Sequence, residues 1–227
     1  MKVYFVLVEP KLPENIGAAA RAMKTMGFKH LCLVNPGDHL NERARWVAHG
    51  SVDILRNATV FSTINEAVDD ADLVIGTTVR KRAFKRYYYA GHELISVLKS
   101  KIGMLESVAI LFGSESSGLS SDQLRRCDIV STIPMKSDFP SLNLAQAVMV
   151  YAYLLSPLVG KDINREEEKA DKERLLFLKR CVNQLLERLE IDPSSNVHGR
   201  ILEQLMGLSE DNLKLVHFII KRINQKL

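Results

Sequence analysis

Short apolar runs rich in β-branched residues alternate with helical patterns from the start of this chain, and that alternation limits its fold more than any other feature. Residues 3–8, 31–34, 73–77, 108–112 and 129–133 read as strands, while 16–26, 42–48, 64–70 and 93–101 carry helical spacing. Strands separated by helices pair in parallel, which predicts an α/β fold: a mainly parallel sheet with helices on both faces. Ligands in that architecture bind beyond the carboxyl ends of the strands.

The pattern changes after residue 160. Residues 161–174 form a charge-dense run, and beyond it Leu175, Leu178, Val182, Leu185 and Leu189 recur at three- and four-residue spacing, marking an amphipathic helix. It stops before Asp192-Pro193-Ser194-Ser195. Two further helices are expected over 197–206 and 213–223, the second with Ser209 as N-cap. The expected organisation is a domain over 1–160, a charged linker over 161–174 and a small helical extension over 175–227.

Three segments rich in turn-forming and polar residues begin at or just after expected strand ends. They are Asn15-Ile-Gly17-Ala-Ala-Ala-Arg21, Phe112-Gly113-Ser-Glu115-Ser-Ser-Gly118-Leu119, and Ile133-Pro134 through Pro140-Ser141-Leu142-Asn143-Leu144. Glycine serves where backbone must turn with positive φ or approach a ligand, and Asn or Glu beside it can bond freed backbone groups. Three such segments suggest one shared pocket and an enzyme. None of the 12 glycines lies two positions from another. That removes the dinucleotide fingerprint, and neither a phosphate-binding Walker segment nor a G-x-S-x-G elbow is present.

Arg21 follows Gly17 by four residues, so its guanidinium can lean over that bare helix surface toward the helix start; the alternative is a surface arginine beside a close-packed glycine. The basic residues Arg80, Lys81, Arg82, Lys85 and Arg86 run directly into Tyr87-Tyr88-Tyr89. Removing those five from the 31 Lys and Arg leaves 26 against 27 acids, so the net charge of +4 is concentrated there. Cations of this kind meet RNA phosphates and an aromatic ring can stack on an unpaired base; the alternative is a solvated loop whose tyrosines alternate as a strand.

Cys32, Cys127 and Cys181 are odd in number and widely spaced, which fits free thiols in a reducing cytoplasm. No His or Cys spacing suggests a metal site. Residues 3–8 are broken at once by Glu9 and Pro10 and read as a strand rather than an export signal. The uncharged stretch 139–160 holds Asn143, Gln146, Ser156 and Pro157, so it reads as a helix buried in the protein or at a subunit contact, not a membrane span.

Taken in order, the three segments resemble the motifs of the SpoU/TrmH class of SPOUT RNA methyltransferases, over roughly residues 3–157. Arg21-Ala-Met-Lys-Thr-Met-Gly27, Leu33-Val-Asn-Pro36 and Gly76-Thr77 extend the likeness to the TrmJ branch, whose members methylate a ribose 2′-hydroxyl at the first nucleotide of the tRNA anticodon loop. Ser114 departs from it, since TrmJ-like sequences often carry a basic residue there. The resemblance implies a C-terminal trefoil knot in the catalytic domain, a homodimer, and S-adenosyl-L-methionine held by Thr77, Thr78, Val79, Gly113, Ile133, Pro140, Ser141 and Leu142. It further implies Arg21, Asn15, Glu115 and Asn143 as the catalytic set, no metal, and RNA contacts by Arg80, Lys81, Arg82, Lys85, Arg86 and Tyr87. An rRNA substrate, or a non-catalytic RNA-binding protein of the same fold, are the alternatives.

Overall fold

The computed structural model describes residues 1–79, 88–101, 104–136, 141–158, 165–206 and 210–224, with side chains set aside at 165–174, 206, 210, 211 and 224. The expected residues Arg80, Lys81, Arg82, Lys85, Arg86, Tyr87 and Pro140, and the proposed cap Ser209, lie outside that set.

Seven strands form one sheet: β1 (Lys2–Val8), β2 (His30–Val34), β3 (Thr59–Phe61), β4 (Leu73–Thr77), β5 (Tyr88–Ala90), β6 (Ser107–Phe112) and β7 (Ile129–Thr132). Their order is β3-β2-β1-β6-β4-β7-β5, and every neighbouring pair is parallel. Helices α1 (Pro13–Thr25), α2 (Glu42–Ala48), α3 (Val52–Arg56), α4 (Ile64–Val68), α5 (Gly91–Lys99), α6 (Ser121–Arg125) and α7 (Leu144–Leu155) fill the connections. After them come α8 (Arg165–Arg188), α9 (Asn196–Met206) and α10 (Glu210–Asn224). None of the described helices is long and apolar enough to cross a membrane.

The two-residue period of the strands sorts the core onto two faces. Phe5 and Leu7 join α1, α5 and α7 in one apolar cluster, while Val6 and Val8 join Ile64 of α4 and Leu124 of α6 in another. The second cluster also takes Cys32, whose burial pushes its thiol up to about 11 and leaves it protonated. Residues of α8, including Leu175 and Leu178, belong to the first cluster, so this helix packs into the same core as the sheet.

A strand over 59–61 and the short helices α3 and α6 have no counterpart in the sequence expectation, while β5 over 88–90 answers to the alternative reading in which the tyrosines alternate as a strand. Each is three to five residues long, too short for periodicity to register. The charge-dense run is helical from Arg165 onward and continuous with the amphipathic segment after it. Its Glu, Lys, Ala and Arg content favours helix as strongly as it favours solvent.

Candidate active site

A cleft of about 210 Å³ opens at the carboxyl ends of β4, β6 and β7, where the parallel-sheet rule places ligands. Thr77, Thr78, Val79, Gly113, Ile133, Ser141 and Leu142 all line it. Three stretches of chain, 77–79, 112–118 and 133–151, therefore converge on one cavity.

Each wall has a local cause. β4 ends at Thr77, whose hydroxyl donates to the Leu111 carbonyl at 2.8 Å, and the Thr78 N–H donates to the Ser131 carbonyl at 3.0 Å. The second wall is the turn after β6. Gly118 sits at φ +66°, its N–H donates to the Ser114 carbonyl at 2.9 Å, and a Cβ on Gly113 would lie 2.0 Å from the Gly118 carbonyl carbon. Only a residue without a side chain lets these two backbones cross. The third wall leads into α7, capped by Asn143: its Oδ1 accepts from the Ala145 N–H at 2.8 Å and Gln146 reaches back to its N–H at 3.0 Å.

The three segments are tied together by side chains. Glu115 accepts from the N–H groups of Lys11 and Leu12, both at 3.1 Å, and from the Asn15 amide at 3.0 Å. The Asn143 amide in turn donates to Asn15 Oδ1 at 2.8 Å. Burial alone would raise the Glu115 pKa; the bonds from Asn15 and the two backbone donors outweigh it and hold the carboxyl below its ordinary value. Glu115 is thus an ionised brace, and its committed oxygens make it a poor proton carrier. Asn15 and Asn143 do not line the cleft; they set its walls.

Arg21 is exposed on α1, its side chain has no hydrogen-bond or ion-pair partner among the described residues, and it does not line the cleft of its own chain. The expectation that its side chain leans across a bare glycine is not met. Gly17 is buried, and a Cβ there would stand 2.2 Å from the Ala44 carbonyl oxygen, so its missing side chain admits the backbone of α2. The alternative reading of that glycine, close helix packing, is what the structure shows.

Sequence reasoning missed Tyr151. It is 1% exposed, lines the cleft, packs edge-on against Phe112 at 5.6 Å and donates to Ser131 Oγ at 2.9 Å. Burial pushes its hydroxyl up to about 12, with the Ser131 bond opposing, so it stays neutral. It lies in the uncharged stretch read as a buried helix, where a tyrosine among aliphatic residues was the available signal. Ser131, fully buried on β7, was hidden in a strand pattern.

No lysine or arginine lines the cleft among the described residues; hydroxyls, backbone groups and the apolar Ile133, Leu142 and Leu144 do. That donor set suits a neutral base and a cationic cofactor better than a polyphosphate, and so fits S-adenosyl-L-methionine. No group of His, Cys, Asp or Glu among the described residues could hold a metal ion.

Comparison with known proteins points the same way. A model of the SpoU rRNA methylase family matches residues 2–153. The tRNA/rRNA methyltransferase LasT of Escherichia coli, itself uncharacterised, is 38% identical over 227 residues, all of this chain and 99% of LasT. The tRNA (cytidine/uridine-2′-O-)-methyltransferase TrmJ of Yersinia enterocolitica is 38% identical over 151 residues, 66% of this chain and 58% of that protein. The crystal structure of TrmJ from Z. mobilis superposes with a TM-score of 0.66 at 30% identity, covering 99% of this chain and 100% of that one.

Proposed function

The chain belongs to the SpoU rRNA methylase family, and from that premise we propose that it transfers a methyl group from S-adenosyl-L-methionine to a ribose 2′-hydroxyl of tRNA. The finer target in this reading is a cytidine or uridine at the first nucleotide of the anticodon loop. The observation that carries the proposal is the single cleft that gathers Thr77–Val79 with the second and third segments and is braced, through Asn15 of the first, by Glu115 and Asn143.

When bound, the cofactor supplies an electrophilic methyl on a sulfonium; the protein must orient it and present an oxygen in line. The loops at Thr77–Val79, Gly113–Gly118 and Ser141–Leu142 would hold adenosine and methionine through main-chain groups. Arg21 acts on the substrate side, stabilising charge on the ribose oxygen or fixing the adjacent phosphate. A guanidinium stays protonated and cannot serve as the base. Because Arg21 stands outside its own cleft, a homodimer that brings α1 of one copy over the cleft of the other completes the site. The exposed large hydrophobic side chains Met149 and Tyr153 on α7 support an interface between copies.

The basic segment ending at Tyr87 adjoins the cleft-lining Val79 in sequence, and in this reading it contacts RNA phosphates. A trefoil knot in the catalytic domain, a division into 1–160, 161–174 and 175–227, and a cytoplasmic location belong to the same proposal. A non-catalytic RNA-binding protein is the rival class, and titration calorimetry separates the two. Binding of one S-adenosyl-L-methionine per cleft supports an enzyme; no heat from cofactor-free protein at millimolar ligand overturns it.

A further inference from the structure

Ser131 occupies a junction that neither the family's motifs nor the cofactor pocket explains. In the sheet it stands opposite Thr77 of β4 on one side and Tyr89 of β5 on the other. Its carbonyl accepts from the Thr78 N–H at 3.0 Å, and its hydroxyl donates to the Tyr89 carbonyl at 3.0 Å. Thr78 and Tyr89 bracket the segment that carries five of the chain's basic residues. One buried serine therefore touches both ends of it.

The Ser131 hydroxyl is itself fixed from outside the sheet. Tyr151 of α7 donates to it at 2.9 Å, giving a directed chain from the Tyr151 hydroxyl through Ser131 Oγ to the Tyr89 carbonyl. Tyr151 is 1% exposed and Ser131 is 0% exposed, so no solvent competes for these bonds. The same tyrosine ring lines the cleft and packs on Phe112, next to Gly113. A single side chain thus touches both the floor of the cleft and the clamp at the base of the basic segment.

We infer that the Tyr151 hydroxyl is a positioning group for the RNA substrate: acting through the Ser131 hydroxyl, it fixes the Tyr89 end of the basic segment against the Thr78 end, which the Ser131 main-chain carbonyl holds beside the cleft. The inference rests on the reading that this segment contacts RNA. Parallel strand pairing already joins β5 to β7, so loss of the hydroxyl leaves the fold and the cleft walls standing. What it frees is the Ser131 rotamer, and with it the alignment of RNA contacts against the cofactor.

The test uses the full-length protein with Tyr151→Phe, Ser131→Ala and the double variant, scored by tRNA KM, kcat and cofactor Kd from calorimetry. Each single variant should raise tRNA KM about threefold to tenfold, the scale of one buried hydrogen bond. In Ser131→Ala, whose residue does not line the cleft, cofactor Kd should stay within about twofold, and the double variant should raise tRNA KM no more than the poorer single one, as expected for members of one chain. Wild-type tRNA KM in both single variants, or equal rises in tRNA KM and cofactor Kd in Ser131→Ala, overturns the inference. Lys85→Ala with Arg86→Ala is the control for the underlying reading. If it raises tRNA KM while Tyr151→Phe does not, only the positioning role falls; if it leaves tRNA KM unchanged, RNA contact by the segment falls and takes this inference with it. Should Tyr151→Phe fold poorly, Ser131→Ala alone decides.

Discussion

The Asn143 side chain donates to Asn15 at 2.8 Å, joining positions 128 residues apart, and Asn15 passes the connection on to Glu115. Two loops and a helix N-terminus that form the cleft are thereby held by three polar side chains. The carboxylate matters most, because it alone accepts three bonds.

Glu115→Gln turns one of those acceptor sites into a donor facing donors. The expected loss is about 1–2 kcal/mol of stability, at the low end for a charged acceptor because Glu115 is only partly buried, together with weaker cofactor binding. Urea unfolding and calorimetric titration check both. The pH dependence has a definite sign. The folded pKa lies below the ordinary 4.5, so the brace stabilises the fold above that value and is lost as pH falls through the lower folded one.

Gly113→Ala would place a Cβ 2.0 Å from the Gly118 backbone, which cannot yield without opening the turn. Cofactor affinity should fall at least about tenfold while the melting temperature changes little, since this turn is at the surface. Gly17→Ala has the opposite signature. Its Cβ would meet the Ala44 carbonyl at 2.2 Å and push α2 off α1, costing about 1–3 kcal/mol in denaturant unfolding.

How much of this was legible in the sequence depends on element length and on what each residue serves. The five longer strands and α2 followed from periodicity, with α2 at Glu42–Ala48 matching its expected span. The short β3 did not, because three residues cannot display a period, and β5 was legible only as the alternative reading of the tyrosines after the basic run. The cleft-lining residues came from family motifs, and seven of those expected fall on one cavity. Gly17 was open to two readings because a bare helix patch serves a side chain or a neighbouring helix equally well in one dimension. Tyr151 was marked only as a tyrosine among aliphatic residues: its role is set by Ser131, twenty residues away on a strand.

Lys101 is 3% exposed with no carboxylate partner among the described residues, and burial lowers its pKa from 10.5 to about 8. Between those values the unfolded chain binds a proton that the folded one has released, so stability rises with pH across that window. Lys101→Met should stabilise the protein at pH 7 by up to about 3 kcal/mol, with the gain vanishing by the upper end of the window. Thermal melts of both proteins as a function of pH measure it.

Arg21→Ala removes an exposed side chain with no partner among the described residues, so the melting temperature should hold within about a degree. Turnover should fall about a hundred- to a thousandfold, the usual consequence of losing one donor that stabilises developing charge. Mixing Arg21→Ala with a cleft-dead Gly113→Ala protein tests the shared site: recovery of activity in the heterodimer shows that one copy supplies the arginine and the other the cleft.

The most direct measurement is nuclease digestion and mass mapping of tRNA after incubation with the protein and isotopically labelled S-adenosyl-L-methionine. The expected result is one labelled 2′-O-methyl ribose, on a cytidine or uridine opening the anticodon loop, absent with Arg21→Ala. Label on a base, or none in tRNA although the cofactor is bound, would contradict the account.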